Sequence, residues 1–186
     1  MAVEAELKAR INNPETVRVR LQQRAHEHTR TYRDRYFDWP AGNLAVQGYE
    51  IRLRTVDTGS SSTTVFTFKE PAVHASGAKP EHETTLADAE PVAALVHTLG
   101  LVERIAFAKH CRNYHLAEHG RDLLATLVHV PELAESFLEV ETLVADTSEI
   151  SAGLDAVQAV LDALGVREDE LTTESYTDAV AAIRRA

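Results

Sequence analysis

The chain is expected to fold as an α+β protein of roughly eight antiparallel strands flanked by helices, a sheet that on closing would make an eight-stranded antiparallel β-barrel, a tunnel with a polar interior. Two observations carry this expectation. Four separate segments alternate charged and packing residues at the two-residue period of a strand. They are Glu4, Glu6 and Lys8 against Val3, Ala5 and Leu7; Glu50, Arg52 and Arg54 against Ile51 and Leu53; Thr67 and Lys69 against Phe66 and Phe68; and Glu139 and Glu141 against Leu138 and Val140. Strand signals also run in an order that favours antiparallel pairing, with roughly eight strands and four helices in all. One such strand alone reads as a solvated edge. Four of them, joined in a closed sheet, would turn their charged sides to a common channel and their apolar sides to covering helices.

The totals set bounds. At 186 residues, 44% apolar and 26% charged, the composition is that of a globular protein, expected as one domain over residues 1–186. The net charge of −10 argues against nucleic acid as a partner, because phosphate contacts need clustered Lys and Arg. Cys111 is the only cysteine, which excludes an intrachain disulfide and a thiolate metal cluster. No apolar run approaches the roughly 18 residues of a membrane span, so no membrane partner and a cytoplasmic location are expected.

The elements follow in order. Residues 1–10 form the first alternating strand. Asn13 caps a helix with Pro14 in its first turn and Glu15 favouring its dipole, reaching about residue 27 on a Val17–Leu21–Ala25 stripe. Residues 29–39 read as a long strand rich in Tyr, Arg and Thr; Tyr32, Asp34, Tyr36 and Asp38 share one face, Arg33, Arg35 and Phe37 the other, and composition does not say which is inner. Pro40-Ala41-Gly42-Asn43 is a turn. Residues 49–57 and 63–70 form a hairpin across Thr58-Gly59-Ser60-Ser61-Ser62, followed by a loop to Lys79 and a short strand, 81–86, with Glu81 and Glu83 on one side. A helix spans 88–98, with Asp88 at its start, Pro91 in its first turn and Gly100 stopping it. In the long strand 101–116, packing Ile105 and Phe107 outward turns His110, Arg112 and Tyr114 inward. Residues 123–130 and 137–144 are strands. From Ser148 the period becomes helical through Leu164, and a last helix covers 176–184.

Two carboxylates in a Glu-x-Glu strand stand about 7 Å apart on one side. If the strands of Glu4/Glu6 and Glu139/Glu141 are neighbours, four carboxylates converge, repel and take up protons unless a hard cation joins them. Oxygen-only ligation suits Mg2+ or Mn2+. Lys8, Arg52, Arg54, Lys69 and Arg112 fall on the same inner side, and Arg and Lys both suit phosphate oxygens. A self-satisfied ion-pair network would show the same charges. Most of the nine histidines read as surface residues, and Cys111 as a packed small residue rather than a nucleophile.

Beyond these spacings, an ordered set of segments resembles the CYTH superfamily, the triphosphate tunnel metalloenzymes. The set is Glu4-x-Glu6-x-Lys8, Tyr36-Phe37-Asp38, Ile51-Arg52-Leu53-Arg54, Thr67-Phe68-Lys69-Glu70-Pro71, Lys109-His110-Cys111-Arg112 with Tyr114, Phe137-Leu138-Glu139-Val140-Glu141 and Ser175-Tyr176. It spans nearly the whole chain and looks most like the bacterial class IV adenylyl cyclase branch. The resemblance implies a tunnel that binds a triphosphate (ATP, thiamine triphosphate or tripolyphosphate) with Mg2+ or Mn2+. It also implies the roles: Glu4, Glu6 and Glu141, with Glu139, on the metal; Lys8, Arg52, Arg54, Lys69 and Arg112, with His110, on the phosphates; Lys8 or Lys69 assisting proton transfer or stabilising charge. A homodimer is compatible with it. Activities in the family include cyclisation of ATP to cyclic AMP and pyrophosphate, and hydrolysis of thiamine triphosphate or tripolyphosphate; a polyphosphate-binding module without turnover is a further alternative. The chain departs from the family pattern twice. Where Lys-x-Arg is usual, the inward pair expected here is His110 and Arg112, the other register pairing Lys109 with Cys111. His129 stands near an expected acid, which puts cyclisation in question but not triphosphate binding.

Overall fold

The computed structural model describes residues 3–186, so Met1 and Ala2 of the first expected strand lie outside the described residues. The strands are β1 (Val3–Ile11), β2 (His28–Asp38), β3 (Glu50–Asp57), β4 (Ser62–Lys69), β5 (Lys79–Leu86), β6 (Val102–Glu118), β7 (Arg121–His129) and β8 (Ser136–Val144). They close into one barrel in the order β1-β5-β4-β3-β2-β6-β7-β8, and every pairing is antiparallel. Closure removes the unpaired edges that an open sheet would expose.

β1 pairs with β8 along its length, from Val3 opposite Val144 to Ile11 opposite Ser136, so Glu6 stands opposite Glu141 and Lys8 opposite Glu139. Its other edge meets β5 only at Val3–Pro80 and Glu4–Lys79. Where β5 diverges, the chain returns to fill the gap: Ala9 bridges Leu171, and the Thr172 N–H donates to the Lys8 carbonyl at 2.8 Å.

Helices α1 (Pro14–Gln22), α2 (Asn43–Val46), α3 (Glu90–Thr98), α4 (Ile150–Ala163) and α5 (Tyr176–Arg185) complete the fold. α1 starts as its sequence expects, with the Asn13 side chain accepting from the Thr16 N–H at 3.2 Å. α2 was not expected; it is a single turn whose Leu44 and Ala45 N–H groups donate to the Asp38 carboxylate at 2.8 and 3.0 Å. α4 covers the outer face of β1 and β8, burying Val157, Val160 and Leu161 against Ala9, Leu138 and Val140. α3 covers β2 and β3, burying Ala93 and Val96 against Phe37 and Leu53.

Two expectations are corrected here. β6 adopts the other register. Its Phe107, Lys109, Cys111 and Asn113 side chains face inward and are buried, while His110 and Arg112 point out of the barrel. Tyr114 is also on the outer side, enclosed under the helices with Leu116, Val157 and Leu161. The physical reason lies in α5. It does not cover an outer face but packs on inward-facing residues, so that Tyr176 and Val180 meet Phe107, Cys111, Val128 and Phe137. Ile105 and Phe107 thus bury their hydrocarbon inside the barrel, and no outer helix is needed for them. The interior is accordingly mixed, greasy under α5 and charged beyond it.

Candidate active site

The charged part of the interior is a cavity of about 390 Å3. Glu4, Glu6 and Lys8 reach it from β1, Tyr32 and Tyr36 from β2, Glu50, Arg52 and Arg54 from β3, and Lys69 from β4. Glu81 and Glu83 enter from β5, Lys109 from β6, Glu139 and Glu141 from β8, and Tyr176 from α5. For the strand residues the two-residue period does this work, turning alternate side chains to the same inner side.

The acidic wall forms at the β1–β8 ladder. One carboxylate oxygen each from Glu4, Glu6 and Glu141 lie within 4.8 Å of one another. Burial pushes Glu6 up to about 8, with the charges of Glu139 and Glu4 adding to it. Burial, followed by the charges of Glu4 and Glu6, also raises Glu141. Glu4 moves the other way: burial opposes its charge, but the adjoining Lys69 ammonium more than offsets it and holds the carboxyl low. These residues fit a divalent cation, because three oxygen donors are gathered where their own charges repel. Glu139 lines the same cavity but stands outside that trio.

The cationic wall faces it. Lys69 pairs with Glu4 and lies 3.3 Å from Glu81. Burial opposes its charge, yet Glu4, Glu81 and Glu6 hold its ammonium well above the usual lysine range. Arg52, 7% exposed, donates to Thr67 Oγ1 at 3.2 Å and stands 3.5 Å from both Glu81 and Glu83, while its buried Nε has no acceptor. Arg54 is held by Asp34 through two bonds, at 2.7 and 2.8 Å. Lys8 and Lys109 place their ammonium groups 4.6 and 4.8 Å from the Tyr176 ring centre.

Of the residues expected from sequence, Glu4, Glu6, Glu139, Glu141, Lys8, Arg52, Arg54 and Lys69 meet in this cavity. His110 and Arg112 do not. Arg112 braces the α1–β2 connection by donating to Glu27 at 2.6 Å, and Glu27 also accepts from Tyr114 at 2.5 Å. His110 sits beside Thr31 at 3.4 Å, and its ring stacks near His129 with centres 6.3 Å apart. His129 is therefore on the outer wall too, opposite His110 in the ladder. Sequence reasoning missed Asp34 and Lys109. The period of β6 offered both registers, and β2 has polar residues on both faces. Cys111 is inert, as expected: burial pushes its thiol up to about 12.

Comparison with known proteins gives three results. A family profile described as the CYTH domain matches residues 2–176. No curated protein shows a significant match to the chain. Among solved structures, a protein from Pyrococcus horikoshii superposes with a TM-score of 0.82 at 22% identity, covering 96% of this chain and 98% of its own. A Vibrio parahaemolyticus protein provisionally named adenylate cyclase gives 0.79 at 17% identity, covering 98% of both chains. A Hippeastrum protein, provisionally named adenylyl cyclase and described as having a dominant triphosphatase activity, gives 0.66 at 14% identity over 98% of this chain and 96% of that one. At these identities the likeness is one of fold. No helix among the described residues is long and apolar enough to cross a membrane.

Proposed function

The chain belongs to the CYTH domain family, and from that premise we propose that it is a metal-dependent enzyme acting on a triphosphate, in its leading form an adenylyl cyclase that converts ATP to cyclic AMP and pyrophosphate. The observation that carries the proposal is the meeting, in one bore, of Lys8, Arg52, Arg54, Lys69 and Lys109 with the Glu4–Glu6–Glu141 trio. Within that bore Arg52 Nε is buried without an acceptor, a donor open to a phosphate oxygen.

Arg52, Arg54 and the lysines would hold the phosphate chain, Arg through its planar fork and Lys as a point charge. Glu4, Glu6 and Glu141, with Glu139 beside them, would hold Mg2+ or Mn2+, which when bound neutralises charge developing on phosphate oxygens. Lys69, paired with Glu4 and beside Glu81, would stabilise charge developing on the phosphates. In the cyclase form the ribose 3′-oxygen attacks the α-phosphorus in line and pyrophosphate leaves; in a hydrolase, water attacks the terminal phosphorus. The burial of Arg52 and Lys109 among the strands would strengthen their interactions with a bound phosphate chain.

Hydrolysis is the second reading, and a specific observation favours it. The aromatic rings of the cavity are already committed: Tyr32 to the Arg54 guanidinium 4.5 Å from its centre, Tyr36 to Phe107 at 5.7 Å, and Tyr176 to Lys8 and Lys109. Each ring thus already has a cation or another ring against it, which reduces the aromatic surface the bore offers a nucleobase. Incubation with ATP, thiamine triphosphate and tripolyphosphate, each with Mg2+ or Mn2+, separates the readings. Cyclic AMP identifies a cyclase, orthophosphate a hydrolase, and tight binding without product a module. Glu4→Gln and Glu6→Gln are each expected to lower metal-dependent turnover by at least about a hundredfold with the fold intact. Wild-type rates in both variants would remove the proposed metal site.

A further inference from the structure

We propose, resting on the triphosphate reading of the bore, that Asp34 is a positioning residue: it clamps the Arg54 guanidinium edge-on and draws Lys109 to the same point, so that an incoming triphosphate meets cations already aimed. Asp34 is 0% exposed, on the inner face of β2, opposite Arg54 in one ladder and Phe107 in the other. Its Oδ1 accepts from Arg54 Nε at 2.7 Å and its Oδ2 from Nη2 at 2.8 Å. Tyr36 Oη donates to it at 3.3 Å, and Lys109 Nζ stands 3.8 Å away. Two parallel bonds fix the plane of a guanidinium as one bond cannot. The Tyr32 ring holds the face of that plane, and Asn113 Nδ2 fixes Tyr32 by donating to its hydroxyl at 2.6 Å.

A buried ion pair is seldom kept for stability, since well-packed hydrocarbon of the same volume does as well or better. Here two cations share one carboxylate, which leaves one positive charge over. Arg54 spends Nε and one Nη2 hydrogen on Asp34, and among the described residues no protein group accepts from its Nη1. The contrast with the facing cations is the point. Lys69 leans on Glu4, a member of the trio, and Arg52 on Glu81 and Glu83 of β5, and these pairings can be exchanged when metal and phosphate arrive. The clamp on Arg54 uses a carboxylate that belongs to no such group, so it persists through binding.

The test combines kinetics, binding and a direct view of the clamp. In Asp34→Asn, kcat on the preferred triphosphate should fall on the order of a hundredfold, the cost of misplacing one donor by about an ångström. The Kd for tripolyphosphate should hold or tighten, because the bore has gained positive charge; a merely structural role would weaken binding together with rate. Asp34→Glu should recover part of kcat. Should Asp34→Asn fail to fold, Arg54→Lys is used instead: it keeps the charge and loses the fork, so kcat should fall by a larger factor than Kd weakens. Unchanged rates in Asp34→Asn or Arg54→Lys, or a weakened Kd with kcat kept, overturn the proposal. By NMR, Arg54 Nε–H should give a protected resonance at neutral pH in the wild-type protein, and its absence overturns the clamp whatever the ligand. A wild-type protein that shows that resonance yet neither binds nor converts any of the three triphosphates would instead end the triphosphate reading.

Discussion

In the metal-free protein, burial first and then the charges of Glu139 and Glu4 raise the Glu6 carboxyl to about 8. A carboxyl whose folded value lies above its ordinary 4.5 binds more protons folded than unfolded between those two values. Stability is therefore lost as pH rises through that window. Glu81, raised by burial first and then by Glu4 to about 7, adds to the loss. Glu4 and Asp34 are held low, so their contributions are already complete above the ordinary carboxylate range and do not change there. The metal-free protein is expected to show a lower Tm at pH 8.5 than at pH 6, and Mg2+ should reverse the fall by binding only the folded, deprotonated site. Calorimetric scans at the two pH values, with and without Mg2+, check this; a Tm that rises with pH and ignores the metal would contradict it. Glu6→Gln should flatten the pH dependence. Glu4, Glu6, Glu139 and Glu141 were legible because they alternate with the apolar Val3, Ala5, Leu7, Leu138 and Val140. Asp34 was not, since Arg33 and Arg35 on its flanks are as polar as it is, and only the partner strands reveal which face is inner.

Strand β6 carries the sharpest contrast among the elements. Its sequence supports two registers one residue apart, and a slip by one residue exchanges every inward side chain. Burial of Phe107 and Ile105 under α5 decides between them, a contact between segments too far apart in the chain for periodicity to see. Lys109→Ala should therefore lower kcat/KM for a triphosphate by about tenfold or more, while Arg112→Ala should leave it within about twofold and lose no more than about 1 kcal/mol of stability, the worth of a half-exposed ion pair. Steady-state kinetics on both variants, with urea unfolding of the second, reads out the register; the reverse pattern would restore His110 and Arg112 to the bore. Helix α4 makes a separate prediction. A Cβ at Gly153 would meet Val144 Cγ1 at 2.9 Å and Ala5 Cβ and Thr142 Cγ2 at 3.3 Å. Gly153→Ala should cost about 1 kcal/mol by urea midpoint, overpacking of roughly 1–3 kcal/mol outweighing a helix-propensity gain of about 1. A stabilised variant would mean that α4 rides less closely on the sheet.

For the molecule as a whole, a chain of net charge −10 builds a bore in which cations from β1, β3, β4 and β6 converge on acids from β1, β5 and β8. The strands and their antiparallel order could be read from strand period and turn spacing, because both are local signals. Closure could not. It depends on β1 pairing with both β5 and β8, contacts between segments that no window of sequence contains. The most direct measurement is a crystal structure with tripolyphosphate and Mn2+, located by its anomalous signal. The result expected is a manganese peak bound by Glu4, Glu6 and Glu141, with phosphate oxygens on Arg52, Arg54 and Lys69. Manganese and phosphate bound on the outer wall, with the bore's own ion pairs unbroken, would contradict it.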